Sequence, residues 1–319
     1  MNMNTRLARW LGLAIVLLAG SWLQLDAYSQ EVPYERTEDV IYGRKHGMAL
    51  TLDVFRPQEN ANGIGLIWVV SGGWFSAHEA IGPALVQPLL DRGYTVFAVV
   101  HGSQPKYTIP EVLEDMHRAV RFIRLNSDKY GVDPDRLGIY GGSAGGHLSL
   151  MQGVAGTEGK AEDQDPIQQQ SSRVQAVACF FPPTDFLNYG KPGEVALGRG
   201  VLENFRAPFD FHEHDSSRNT YVLITDEERR QEIGKRISPV YHVTADTPPT
   251  LMIHGDADEL VPIQQAQLMI ERLDEANVPA KLITREDAAH GWADLPKDLE
   301  HFADWFDLHL LDRDAESDR

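Results

Sequence analysis

The chain has 319 residues, of which 42% are hydrophobic and 24% are charged, and its formal net charge at pH 7 is −18. This composition excludes an intrinsically disordered chain, and the length is sufficient for one sizeable hydrophobic core. The excess of Asp and Glu over Lys and Arg disfavours nucleic acid or an anionic membrane surface as a partner. Cys179 is the only cysteine, which excludes an internal disulfide.

The amino-terminal segment has the pattern of a secretory signal peptide. Two arginines precede an apolar stretch from Trp10 to Leu23, and a small-residue cleavage site follows at 27–29. Because the apolar stretch is short for a membrane span, we expect cleavage near Ser29 and an exported domain of residues 30–319. An uncleaved membrane anchor is the alternative; no other stable membrane partner is expected.

Strands alternate with helices along the rest of the chain. The alternating pattern of 49–55 predicts an amino-terminal antiparallel strand or hairpin. Near-continuous apolar runs at 64–70 and 95–100 predict strands buried on both faces of a parallel sheet. One-sided apolar stripes predict helices over 109–123 and 299–310. The alternation predicts an α/β fold with a mostly parallel central sheet flanked by helices.

Two segments interrupt this alternation. Residues 156–175 are polar and predict a mobile surface loop. Residues 184–247 are long for a connection between strands, and 227–237 within them could form a helix. The segment is too short and too polar to own a core, so it is interpreted as a small insertion within the 30–319 domain.

The segment 141–146 reads Gly-Gly-Ser-Ala-Gly-Gly and follows a short apolar strand, which is the pattern of a nucleophile elbow. A serine held on a sharp strand-to-helix turn has a sparsely populated backbone conformation, and the residues two before and two after it crowd together. Gly141 and Gly145 fill those two positions. Ser143 is therefore the candidate nucleophile.

An acid and a histidine follow in order. Asp258 lies in an acidic loop after the apolar run that begins at Thr250, and His290 lies just past the strand-like run 281–284. The order serine, acid, histidine is that of the α/β-hydrolases and differs from both common protease orders. All three loops leave the carboxyl ends of predicted strands, the edge at which such sheets collect ligand chemistry.

With this ordered set of motifs, roughly residues 35–311 resemble the α/β-hydrolase superfamily, most closely its secreted bacterial carboxylesterases of the feruloyl and acetyl-xylan esterase-like kind. The resemblance implies a serine hydrolase of small-molecule or carbohydrate-linked esters that needs no cofactor and no metal. Ser143 would attack the acyl carbonyl, His290 would act as general base, and Asp258 would orient the histidine. It also implies that the insertion at about 184–247 forms a lid over the active site.

The neighbouring carboxylate Asp256 is a competitor for the acid role. In the family pattern the acid stands three residues after a glycine, here Gly255, and this position is that of Asp258. We expect Asp256 to bind backbone amides of its own turn instead, which is a common task of aspartate in loops.

The oxyanion hole is expected from backbone amides, since these can be aimed in advance at the negative oxygen of a tetrahedral intermediate. The Ala144 amide follows the nucleophile directly. Gly72 and Gly73 would supply the others, from the loop after the third strand. Relatives often carry His-Gly-Gly-Gly-Trp in that loop, and here Val70 and Ser71 replace the histidine and the first glycine.

Other interpretations remain open. An amide or peptide hydrolase could use the same triad, because the string from His254 to Pro262 also occurs in prolyl-oligopeptidase-type domains. A non-catalytic binding module could keep the fold, although Ser143 and His290 are both present. His212 and His214 could suggest a metal site, but no further ligands with fitting spacing are apparent, which favours a solvated loop.

Overall fold

The structure, a computed structural model, describes residues 33–311. The expected signal segment lies outside the described residues. An eight-stranded sheet forms the centre of the fold, in the spatial order β1-β2-β4-β3-β5-β6-β9-β10. Its strands are β1 (Tyr34–Lys45), β2 (Met48–Pro57), β3 (Gly65–Val69), β4 (Thr95–Val100), β5 (Leu137–Gly142), β6 (Ala176–Phe180), β9 (Thr250–Gly255) and β10 (Ala280–Arg285).

The sheet is mostly parallel, as predicted. All pairings from β4 to β10 are parallel, whereas β2 pairs antiparallel with both β1 and β4. The expected amino-terminal hairpin is thus confirmed as β1 and β2. Two more strands, β7 (His212–Asp215) and β8 (Thr220–Leu223), pair as a separate antiparallel ribbon.

Helices cover both faces of the sheet, which accounts for the two layers of buried side chains on either side of it. The α-helices are α1 (Gln87–Leu90), α2 (Ile109–Leu125), α3 (Ser127–Tyr130), α4 (Ala144–Ala155), α5 (Glu227–Arg236), α6 (Gln264–Glu275) and α7 (Leu299–Leu310). Short 3₁₀ turns lie at His78–Ala80, Pro83–Leu85, Gly200–Phe205, Ala207–Phe209, Pro239–Tyr241 and Leu295–Asp298. Within residues 33–311, no helix combines the length and the apolar character needed to span a bilayer.

Helix α2 shows why the sequence signals work locally. Its apolar stripe is buried, and Glu111 accepts a hydrogen bond from the Thr108 amide at 2.8 Å, which satisfies a backbone donor just before the first turn. A proline in the first turn costs nothing there, because that N–H has no partner inside the helix. The helix therefore begins where the sequence predicts and ends two residues later, at Leu125 rather than Ile123.

The polar segment 156–175 has neither helix nor strand, in agreement with the loop that the sequence predicts, and arginines of α2 bind its backbone. The Arg124 guanidinium donates to the Arg173 carbonyl at 2.7 Å, and the Arg121 guanidinium donates to the Gln170 carbonyl at 3.0 Å. Ser172 in this segment is fully buried. Charge-assisted hydrogen bonds to backbone carbonyls therefore fasten the segment to α2.

The insertion 184–247 contains the β7–β8 ribbon, helix α5 and three of the 3₁₀ turns. Its large aromatic side chains Phe186, Phe209 and Phe211 are buried in the same core as Trp74 of the loop after β3. The insertion therefore shares the main core, which is consistent with its lacking one of its own.

Candidate active site

Ser143 lies on a sharp turn between β5 and α4. Its φ and ψ are 53° and −120°, a conformation that non-glycine residues rarely adopt and that costs about 1–3 kcal/mol. A Cβ at Gly141 would lie 2.6 Å from the Gly145 backbone, and one at Gly145 would lie 2.6 Å from the Val69 carbonyl oxygen. Only glycine fits at these two positions, because neighbouring backbone atoms lie too close for a side chain. The resulting turn places the serine hydroxyl at the edge of the sheet.

The three candidate groups meet at the carboxyl edge of the parallel strands. His290 Nε2 is 2.9 Å from Ser143 Oγ, and His290 Nδ1 is 2.7 Å from Asp258 Oδ2. Since the carboxylate only accepts, Nδ1–H donates to it, and the free Nε2 accepts the Ser143 hydroxyl proton. The structure therefore brings all three side chains into one hydrogen-bonded chain.

Asp258 is buried and held from several sides. Its Oδ1 accepts the amides of Leu260 and Val261, both at 2.9 Å, which leaves Oδ2 for the histidine. Burial by itself would raise the pKa of Asp258, but the hydrogen bonds from His254, His290 and the Val261 amide outweigh it and hold that pKa well below its usual range. The Asp258 carboxylate is therefore negatively charged at neutral pH.

Asp256 is engaged differently from the expectation. Its Oδ1 accepts the Asp287 amide at 2.7 Å, in the loop that carries His290, rather than an amide of its own turn. Asp256 thus accepts a backbone amide, as expected, but the prediction that this amide belongs to its own turn is wrong. Because β9 and β10 are adjacent, the two loops that follow them run side by side and can exchange such a bond.

The oxyanion loop, residues 70–76, follows β3 and faces the start of α4. Across the residues that the structure covers, no protein group accepts the amide hydrogens of Gly73 and Ala144. The Gly72 amide, in contrast, donates to the Phe75 carbonyl at 3.0 Å. We therefore correct the expectation that Gly72 supplies an oxyanion donor, because its N–H is consumed inside its own turn.

A buried histidine that the sequence does not single out ties this loop to its surroundings. The Trp74 indole donates to His147 Nδ1 at 3.2 Å, and His147 Nε2 donates to the Ile237 carbonyl at 2.7 Å. Burial lowers the pKa of His147 to about 4, so the ring is neutral at physiological pH and can accept and donate at once. It links the oxyanion loop, the elbow helix and the insertion.

The insertion also touches the oxyanion loop directly. A Cβ at Gly73 would lie 2.5 Å from the ring of Phe205, which comes from the 3₁₀ turn Gly200–Phe205. At the other side of the site, the Phe181 ring lies 4.4 Å from that of His290, centroid to centroid. Aromatic side chains therefore lie beside Gly73 on one side of Ser143 and beside His290 on the other.

Two further buried histidines also escaped prediction. His254 Nε2 lies 2.7 Å from the Val261 carbonyl and 3.5 Å from Asp258 Oδ2, and His101 Nε2 lies 2.8 Å from the Ser71 hydroxyl. His254 was visible in the string around Asp258 but carried no assigned role. No short-range spacing marks His101, because its hydroxyl partner is 30 residues away in the sequence.

Possible metal ligands do not coincide with this site. His212 and His214 lie on β7, each with its ring 5.3 Å from that of Tyr221. Among the described residues, Glu38, Asp53 and His78 bring one ligand atom each within 4.8 Å of one another. The Arg36 guanidinium already binds Asp53 there at 2.6 Å, and its positive charge opposes a cation.

Comparison with known proteins gives a family and a fold. The BD-FAE family model matches residues 52–273, more than half of the chain. Two esterase relatives from Mycobacterium tuberculosis are similar: the probable carboxylic ester hydrolase LipM, 29% identical over 75% of this chain and 52% of LipM, and the esterase LipC, 30% identical over 75% of this chain and 55% of LipC. The chain thus spans about half the length of these relatives.

One solved structure is similar to this chain over almost the whole length of the solved chain. The truncated form of a carbohydrate esterase from gut microbiota superposes with a TM-score of 0.68 and 26% identity, covering 88% of this chain and 99% of that one. An esterase from Thermogutta terrifontis, 23% identical, has a TM-score of 0.63, covers 90% of this chain and 96% of its own, and supports the fold alone. The chain belongs to the BD-FAE family and has the α/β-hydrolase fold.

Proposed function

We propose that this protein is a serine carboxylic-ester hydrolase that works through an acyl-enzyme. The observation that carries the proposal is the hydrogen-bonded chain from Ser143 through His290 to Asp258, with the serine on a strained elbow. The esterase names of the relatives support ester hydrolysis over other reactions of the fold.

The geometry suggests the following steps. Ser143 Oγ attacks the acyl carbon as its proton passes to His290 Nε2, and the imidazolium formed is stabilised by Asp258 Oδ2. His290 then gives that proton to the leaving alcohol oxygen as the ester bond breaks. A water molecule then attacks the acyl-enzyme as it gives a proton to the same nitrogen. His290 passes that proton to Ser143 Oγ as the bond to the acyl carbon breaks, which releases the acid and the free serine.

The negative oxygen of each tetrahedral intermediate would be bound by the Gly73 and Ala144 amides. Both donors are free of protein acceptors within the described part of the chain. Backbone donors fixed before the reaction require no reorganisation, and removal of one oxyanion donor typically costs about 10²–10³ in turnover.

We propose small-molecule or carbohydrate-linked esters as substrates, and the insertion 184–247 as the lid over them. The contact of the Phe205 ring with Gly73 supports the lid, because it places an insertion side chain beside an expected oxyanion donor. The carbohydrate esterase with a similar structure supports the substrate class. We further propose export of the 30–319 domain after cleavage near Ser29, which is supported by the amino-terminal sequence pattern.

Substitution of the nucleophile tests the proposal. Ser143→Ala should abolish hydrolysis of acetyl and butyryl esters, with a loss on the order of a million-fold, as for a triad nucleophile in subtilisin. A fluorophosphonate probe should label Ser143 in the unsubstituted protein and no serine in the variant. Both are measured by ester turnover and by mass spectrometry of the labelled peptide.

Ser149→Ala is a matched control, since this buried serine of α4 donates only to the Gly145 carbonyl of its own helix at 2.8 Å. The Ser149→Ala variant should keep its ester turnover, and the probe should still label Ser143 in it. An aminoacyl anilide assayed in parallel separates the alternative function: cleavage of the anilide without cleavage of any ester would establish the amide hydrolase instead. Ester turnover that survives in Ser143→Ala would overturn the mechanism.

A further inference from the structure

His101 is a buried histidine whose two ring nitrogens have defined partners. Nδ1 lies 2.7 Å from the Gly102 carbonyl, which can only accept, so Nδ1 carries the hydrogen. Burial, with a smaller contribution from the positive charge of Lys45, lowers the pKa of His101 to about 4, so the ring is neutral near pH 7. Nε2 is therefore an acceptor, and the Ser71 hydroxyl 2.8 Å away donates to it.

Ser71 holds a second neighbour through its main chain. Its carbonyl accepts the Gly145 amide at 3.3 Å, in the first turn of the elbow helix. A Cβ at Gly145 would lie 3.2 Å from that same carbonyl oxygen, which shows how closely the helix start packs on the loop. Ser71 thus connects the end of β4, through His101, to the turn that carries Ser143.

Val70, at the start of the oxyanion loop, is held through its backbone, since its amide donates to the Val99 carbonyl at 3.1 Å. The other hydrogen bonds from side chains lie at or beyond Gly73. The Gln104 side chain donates to the Gly73 carbonyl at 2.9 Å, and the Trp74 indole donates to His147. On the side that precedes Gly73, Ser71 is the residue whose side chain fixes the loop to another strand end. The direction of the Gly73 amide, two residues later, depends on where Ser71 is held.

We infer that Ser71 and His101 are a pair of positioning residues that aim the Gly73 amide at the oxyanion. This inference rests on the proposed ester hydrolysis. The side-chain hydrogen bonds of Ser71 and His101 do not involve Ser143, Asp258 or His290. Their effect on the reaction must therefore pass through the backbone of the oxyanion loop.

The test compares transition-state binding with stability. In Ser71→Ala the hydroxyl is lost, and we expect kcat for an acetyl ester to fall about tenfold with KM within about twofold, because the donor is displaced rather than removed. The affinity for a trifluoromethyl ketone, which forms a tetrahedral adduct on the serine, should fall by a similar factor. Ser71→Thr keeps the hydroxyl and should restore both quantities.

Ser172→Ala is the matched control. Ser172 is a buried serine in the segment 156–175, and its hydroxyl lies 3.2 Å from Nδ1 of His117, whose pKa is lowered to about 4 by burial. Its loss should lower the melting temperature without changing kcat or ketone affinity. If Ser71→Ala behaves in the same way, the pair is only structural and the inference is wrong. If the unsubstituted protein turns over no ester at all, the proposed function fails and this inference fails with it.

Discussion

Two carboxylates in the loop after β9 show what single residues can be assigned from sequence. The family string predicts Asp258 as the acid, and Asp258 is the carboxylate that lies 2.7 Å from His290. Asp256 was expected to serve its own turn, but binds the Asp287 amide instead. A motif fixes the position of a reacting group, whereas the partner of a supporting group depends on which loops the fold brings together.

The same change at these two carboxylates separates their roles. Asp258→Asn should lower turnover by about 10⁴, because an amide favours the wrong histidine tautomer. Asp256→Asn should change turnover by less than about threefold, since the amide oxygen can still accept the Asp287 N–H. Turnover and the urea midpoint of both variants decide between them; a dead Asp256→Asn beside an active Asp258→Asn would reverse the assignment.

The supporting histidines were beyond the reach of sequence reasoning for a physical reason. His147 is bonded to a carbonyl 90 residues away, at Ile237, and to the Trp74 indole. His101 needs the adjacency of two strand ends before Ser71 is in reach. Contacts of this kind have no periodicity and no local spacing, so they appear only when the fold is known.

At the scale of elements, burial decides what can be predicted. Strands β3 and β4 are almost fully buried and read as continuous apolar runs, so their bounds are predicted within about a residue. The β7–β8 ribbon was not predicted, because β8 is exposed along its whole length and β7 is polar throughout. Neither strand has the alternation of a half-buried strand.

The proposed lid can be tested at a single side chain. Deleting much of the insertion would remove buried core residues such as Phe209, which packs on Trp74, and would confuse specificity with unfolding. Phe205→Ala instead opens space beside Gly73. We expect the ratio of feruloyl to acetyl ester turnover to rise about tenfold, as expected for a pocket contact worth about 1–3 kcal/mol.

Tyr221→Ala is the control for that experiment, since this aromatic residue of the same insertion is 60% exposed on the ribbon. Its substrate ratio should stay at the value of the unsubstituted protein. If Phe205→Ala also leaves the ratio unchanged while remaining folded, the insertion does not shape the substrate pocket.

At the scale of the whole molecule, buried neutral histidines couple the fold to pH. Burial lowers the pKa values of His101, His117 and His147 to about 4, against about 6.5 in an unfolded chain. Between these values the unfolded state binds more protons than the native state. The free energy of unfolding is therefore undiminished above about pH 6.5 and falls as the pH drops towards 4.

The expected slope is up to about 1.4 kcal/mol per pH unit for each histidine, or up to about 4 kcal/mol for the three together. Urea unfolding at half-unit steps from pH 7.5 to pH 4.5 measures it. His117→Asn, which is remote from the candidate site, should reduce the slope by about one histidine's share. An equal slope in the variant would mean that His117 is not held neutral in the native state.

The reactivity of the Cys179 thiol can be used to measure how often the strands of this sheet open. Cys179 lies fully buried on β6 opposite Gly141 of the elbow strand, and burial raises the pKa of its thiol far above the usual range. A thiol reagent can therefore react only during excursions that expose the middle of the sheet. Since the chain has a single cysteine, the labelling rate divided by that of the unfolded chain gives the population of those excursions without any substitution. If the rate is measured again with a covalent inhibitor bound to Ser143, the change in rate shows how far modification of Ser143 reduces opening of the strand that precedes it.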